Sequence, residues 1–283
     1  MRPSSCCSLS LLLGLSLWMV GCPSTGDDDD SSVTDDDDSS VTDDDDSSVA
    51  DDDDSSVADD DDSSPSCADP SFSLGYLDLD GLSTIESADL DVPALTFEDD
   101  GFTLEFWINP TTVGTEQRVL NRGTGFPDAY WVVDVGANAN LQLEIRNNDQ
   151  VSGTTNSLPD VITAGVWQHA AIVLDRGPGE VRFYVDGQPA GATTLAPDFL
   201  DVPSAATGPF LVPGAFQPMA GALDEIRAWD LPRTALQIQA NRCDSLTTGA
   251  GLTLSIPFEA DLNDHGPSAV AMVASGAAAR LEH

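Results

Sequence analysis

Lysine is absent from this 283-residue chain, and arginine and lysine together number 10 against 49 aspartates and glutamates. A field of this sign repels nucleic acid and anionic lipid headgroups, and nucleic acid is set aside as a partner. Histidine is equally scarce, at three residues, and two of them, His169 and His265, fall inside the folded region with the third at position 283. No Gly-x-Ser-x-Gly segment accompanies them, and no cysteine nucleophile stands nearby, so nucleophilic catalysis has no constellation to work with. Nor is there an apolar run of the roughly 20 residues that a membrane-spanning helix needs. The longest, Leu9 to Val20, is about a dozen residues and follows a short segment with one charge, Arg2. It predicts a cleaved signal peptide over 1–21.

The residues that end this segment, Met19-Val20-Gly21-Cys22, resemble the lipobox of bacterial lipoproteins, with methionine where leucine is usual. The resemblance implies acylation of Cys22, which becomes the mature N-terminus, and a location in the bacterial cell envelope, at the outer membrane or cell surface. The alternative is an ordinary signal peptide with Cys22 as a thiol. Each buried methylene of an acyl chain contributes about 0.8 kcal/mol to membrane attachment. Cys6 and Cys7 leave with the signal, so Cys67 and Cys243 remain as an even pair in an exported domain, predicting a disulfide. With both cysteines committed, no Cys/His zinc site can form.

Five blocks of four aspartates lie between Asp27 and Asp62, in the repeats DDDDSSVT, DDDDSSVA and DDDDSSPS. Each unit carries one valine or proline, too little apolar surface to offset the entropy of ordering the chain. Calcium-binding Asp-rich repeats need turn glycines and stacking apolar positions, and both are missing. Residues 22–66 are therefore expected to be a disordered tether that reaches on the order of 150 Å when stretched. It would hold the domain away from the membrane. From Pro65 onward, 29 acidic residues face 9 arginines.

Residues 67–283 predict an all-β domain. Phe102–Ile108, Leu141–Ile145 and Val181–Val185 alternate apolar and polar residues, the period of a half-buried strand. Further strands are expected at 130–135, 166–174, 222–229 and 252–258. Asp186-Gly187 is a tight-turn signal, and Thr234 with Gln237 forms a capping box that opens one short helix at 234–241. The sum is a two-sheet antiparallel β-sandwich, a jelly roll.

Three segments, in order, resemble laminin-G-like domains of the concanavalin A-like lectin/glucanase superfamily. They are Phe102-Thr-Leu-Glu-Phe-Trp-Ile-Asn-Pro110, Trp167-Gln-His-Ala-Ala-Ile-Val-Leu-Asp175 with Val181–Gly187, and Gly221-Ala-Leu-Asp-Glu-Ile-Arg-Ala-Trp229. The resemblance implies a non-catalytic recognition module for carbohydrate or protein. It also implies His169 as a structural residue and calcium as the cofactor to consider, held by Asp80 and Asp224. Against calcium stands the simpler reading that Asp80 makes a turn and Asp224 caps amides. Phe126, Tyr130 and Phe216, beside Gly, Pro and Asp, are the candidate ligand-binding aromatics. Trp107, Trp167 and Trp229 are expected in the core.

Two other functions stay open. A shielding protein would present a featureless polar face. A glycan hydrolase needs two carboxylates about 5–5.5 Å apart. Glu105 and Glu144 each stand alone in their strands, so catalysis is not expected.

Overall fold

The computed structural model describes residues 67–97, 100–123, 131–146, 151–199, 208–214 and 216–283. The signal, Cys22 and the aspartate repeats lie outside them, as do Phe126 and Tyr130.

Two antiparallel sheets pack face to face, as the alternating segments predict. The larger is built on β3 (Gly101–Pro110), β8 (Gln168–Asp175), β9 (Glu180–Val185) and β10 (Gln188–Thr194) on one side. On the other side of β3 lie β12 (Ala220–Trp229), β1 (Gly75–Asp80) and β15 (Ala279–Glu282), with β13 (Leu252–Ile256) also paired to β12. The second sheet runs in the order β14 (Met272–Ser275), β2 (Thr84–Ser87), β11 (Phe210–Val212), β4 (Gln117–Arg122), β5 (Trp131–Val135), β6 (Leu141–Arg146) and β7 (Ser152–Asn156).

Inward residues of both sheets form one core. Phe102, Leu104, Phe106 and Ile108 from β3 meet Trp131, Val133 and Val135 from β5, with Phe97 stacked on Phe102 at 4.5 Å. The β9–β10 hairpin turns on Asp186 and Gly187, at φ of 52° and 75°. Two successive positive φ values define the turn that matches strand twist, and Asn/Asp-Gly pairs supply them at least cost.

The helix α1 (Ala235–Asn241) begins at Thr234, whose hydroxyl accepts from Gln237 N while the Gln237 side chain accepts from Thr234 N. It packs through Ile238 onto Ala171, Val173 and Tyr184, on the outer face of the larger sheet. The loop after α1 is fixed by the Cys67–Cys243 disulfide, with Cα atoms 5.8 Å apart. The expected pairing is present.

Strand β12 is long enough to serve two neighbours on one edge. Residues 220–223 pair with β1, and residues 226–229 pair with β13. At the change-over, the register against β3 skips from Asp224↔Trp107 to Arg227↔Glu105. Two residues, Glu225 and Ile226, oppose one, and Glu225 takes a φ of 49°. This is a β-bulge, and it resets the alternation so that Asp224, Glu225 and Arg227 all leave the core side.

Candidate functional site

Outward residues of the larger sheet form two regions. The half under α1 is closed. Thr103, Glu105 and Trp107 alternate along β3, and each holds the covering segment. Thr103 Oγ1 donates to Leu231 O at 2.8 Å, Glu105 receives Arg233, and Trp107 Nε1 donates to Arg242 O at 2.9 Å. Arg227 Nη2 lies 3.4 Å from Glu105 Oε2, and its Nη1 donates to the carbonyls of Asn241 and Asp244 at 3.1 Å. His169 has no exposed surface, and burial beside Arg227, Arg242 and Arg233 keeps its pKa well below 6.5. It is a neutral structural residue, as expected.

The other half is open. The register of two strand pairs places Asp78, Ala222 and Asn109 side by side across β1, β12 and β3. Trp167, just before β8, continues that rank, because Ile108 is paired with Gln168. Ala222 is small, and Gly221 next to it could not carry a side chain: a Cβ there would lie 2.3 Å from Asn109 O. A floor of glycine and alanine between larger neighbours leaves a cleft of about 530 Å³.

Tyr76 and Trp167 wall this cleft, edge to face at 5.8 Å, and His283 stands against both rings. Asp78, Glu282, Asn109 and Thr111 supply polar groups around it. An aromatic wall with a few convergent polar groups is the make-up of a small-molecule site.

Beneath the wall lies Asp224, which is fully buried. Its Oδ1 accepts from Glu225 N at 2.8 Å, and its Oδ2 is 3.0 Å from His283 Nε2. Burial, and then repulsion from Glu225, push its pKa up to about 9. Glu225, in the gap between β1 and β13, is raised to about 7 by burial, with Arg227 and Ser245 acting the other way.

The predicted calcium pair is not brought together. Asp80 faces Ala220, four residues along β12 from Asp224, a separation of roughly 13 Å at strand spacing. Asp80 Oδ1 accepts from Leu82 N and Ser83 N at 2.9 and 2.8 Å, which holds its carboxyl below the usual range. Asp224 has both oxygens engaged locally and Asp80 lies too far along the strand to join it, so the two do not fit a shared ion. No group of three or more His, Cys, Asp or Glu suited to a metal occurs among the described residues. Phe216 is 66% exposed and outside the cleft.

The core expectation holds for Trp107 and Trp229 but not for Trp167, which is half-buried and faces the cleft. The residue at a strand's entry lacks the cover that the strand centre enjoys. Tyr76 and Asp78 were missed at the sequence level. Their signal was the alternation Tyr76-Leu77-Asp78-Leu79-Asp80, which puts the tyrosine and both acids on one face.

The concanavalin A-like lectin/glucanases superfamily profile matches residues 84–239. No sequence among the curated proteins matches. Among solved structures, one similar fold is that of a Bacteroides ovatus ATCC 8483 protein named for an inferred carbohydrate-binding role. It is 16% identical with a TM-score of 0.58, over 74% of this chain and 60% of that one. This chain thus spans well under two thirds of that relative. Another is the heptameric SAP-like pentraxin of Limulus polyphemus, 14% identical with a TM-score of 0.51, over 73% of this chain and 94% of that one. At such identities the likeness is one of fold. With a profile match covering more than half its length, the chain belongs to the concanavalin A-like lectin/glucanases superfamily.

Proposed function

We propose that this protein is a lipid-anchored extracytoplasmic module that recognises a glycan, without catalysis, in the Tyr76–Trp167 cleft. The observation that carries the proposal is the aromatic wall beside Asp78, Asn109 and Thr111 over a floor without side-chain bulk. Ring faces pack on the apolar faces of sugars, while amide and carboxylate oxygens take their hydroxyl donors. The fold shared with a protein named for carbohydrate binding supports the same reading.

Anchoring rests on Met19-Val20-Gly21-Cys22 and on the charged tether that follows. The Cys67–Cys243 disulfide suits an oxidising compartment outside the cytoplasm. Calcium is not part of this proposal, because Asp80 and Asp224 do not converge. A hydrolase would need two carboxylates about 5–5.5 Å apart at the sugar. Asp224 and Glu225 are buried, and Asp78 is the one carboxylate turned to the cleft face among the described residues that line it.

Titration calorimetry of the full chain against an oligosaccharide panel tests the cleft. Trp167→Ala is expected to weaken binding about tenfold or more, the effect of losing a central aromatic anchor. The melting temperature should stay close to the parent value, since Trp167 is half-exposed. Ala222→Leu, which fills the floor, should also abolish binding. A panel with no binder, or binding untouched by both changes, would refute the proposal. Cys22→Ser should move the chain from the membrane fraction to the soluble one.

A further inference from the structure

The carboxylate that lines the cleft face is that of Asp78, and no arginine lines the cleft among the described residues. Glu282 borders it too, but stands opposite Gly75 in register, so its side chain turns to the face of Arg280. Asp78 is exposed and has no hydrogen-bond or ion-pair partner among the described residues. Glu282 is 3.9 Å from Arg280 Nη1 with its side chain 84% exposed, a contact too loose and too wet to neutralise it. Arg280 is itself occupied by two carbonyls, those of Phe258 and Glu259. The remaining nitrogen base in the lining is His283, whose pKa burial lowers, so it brings no lasting positive charge at neutral pH.

The ring faces of Tyr76 and Trp167 carry the negative part of an aromatic quadrupole, which attracts a cation as the Asp78 carboxylate does. Both features repel an anion, and the excess of acids across the domain adds a field of the same sign. Asp78 and Trp167 stand at opposite ends of one rank, with Ala222 and Asn109 between them. Three inter-strand steps of about 4.8 Å separate their backbones by roughly 14 Å, but the Trp167 ring reaches over the floor to 5.8 Å from that of Tyr76, on the strand of Asp78. A ligand over this floor can stack on the rings and meet the Asp78 carboxylate beside them.

We infer that the cleft selects a glycan bearing a protonated amine, such as an oligomer of glucosamine, and rejects uronate-containing or otherwise anionic chains. The inference rests on the reading of this cleft as a glycan site. The ammonium group is held by Asp78, while Trp167 and Tyr76 pack against the sugar rings. A neutral oligomer uses the same wall and Asn109 but lacks the charged contact.

The test compares three tetramers, of glucosamine, N-acetylglucosamine and galacturonate, by calorimetry on the full chain at low and high salt. The glucosamine tetramer should bind about tenfold more tightly than its acetylated form at low salt, the scale of one charged hydrogen bond. The advantage should shrink as salt screens it. The galacturonate tetramer should not bind. Asp78→Asn should erase the advantage, bringing the affinities for the amine and the acetylated tetramer together.

The aspartate repeats between Asp27 and Asp62 could gather an oligoamine by charge alone. An amine preference that survives Asp78→Asn therefore belongs to the tether, and overturns the inference. Equal affinity for the amine and the acetylated tetramer overturns it too, with the glycan reading intact. Failure of all three to bind removes both.

Discussion

Glu105 is a carboxylate without exposed surface, set between two guanidinium groups, those of Arg227 and Arg233, and a neutral imidazole. Arg233 also donates to Gln237 O at 3.0 Å and lies 4.0 Å above the Trp229 ring. One buried anion therefore balances two buried cations that between them hold α1 and the segment after it. Replacing Glu105 by glutamine keeps the shape but leaves both cations without a counter-charge. Breaking a buried pair in this way costs about 3–5 kcal/mol. Urea unfolding of Glu105→Gln should show a loss on that scale, whereas Trp167→Ala, on the open half of the same face, should shift the midpoint little. An unchanged midpoint for Glu105→Gln would mean that water or a rearranged arginine replaces the carboxylate.

At the level of elements, the bulge in β12 places two acids where one strand neighbour gives way to another, and water does not reach either. Asp224 and Glu225 bind their protons more tightly in the folded chain than at the ordinary values of 3.8 and 4.5. The stability they lend is complete below those values. It is lost as pH rises through about 7 for Glu225 and about 9 for Asp224. His169 acts in the opposite direction: its folded pKa lies well below 6.5, so its share is present above 6.5 and lost in acid. Thermal melting across neutral to alkaline pH should therefore decline in the parent. Glu225→Gln should flatten the lower part of that decline and Asp224→Asn the upper part. Parallel curves for parent and variants would show that neither acid is held protonated.

The strands were legible because their alternation is strong. Phe102–Ile108 lies within β3 as observed, and Asp186-Gly187 makes its turn. What alternation cannot report is the fate of the second face. Thr103 and Glu105 read as outward and polar, yet together with Trp107 they are sealed by α1 and the segment around it, which touch β3 only through long-range contacts. The bulge was equally hidden. Asp224-Glu225 gives no local sign that two successive side chains leave the core together. The cleft followed from the cross-strand rank Asp78–Ala222–Asn109–Trp167, drawn from four separate stretches of chain, and no single motif contains it.

For the molecule as a whole, the governing fact is charge: 29 acids against 9 arginines from residue 65 onward. Self-repulsion of that size favours expansion, and the disulfide opposes it. Cys67 and Cys243 are 176 residues apart in sequence, so their bond restricts the unfolded chain strongly. In the chain-entropy account a loop of this length contributes roughly 5 kcal/mol, and losses of 2–5 kcal/mol are typical on removal. The bond also ties the start of the domain to the segment that covers Glu105, where Arg242 Nη1 contacts Cys67 O at 3.4 Å. Cys67→Ser with Cys243→Ser should therefore lower the denaturation midpoint within that range. Added salt should recover part of the loss, because screening relieves the repulsion that the cross-link had been resisting. A midpoint insensitive to both the double substitution and salt would mean that the packed sheets alone withstand the charge.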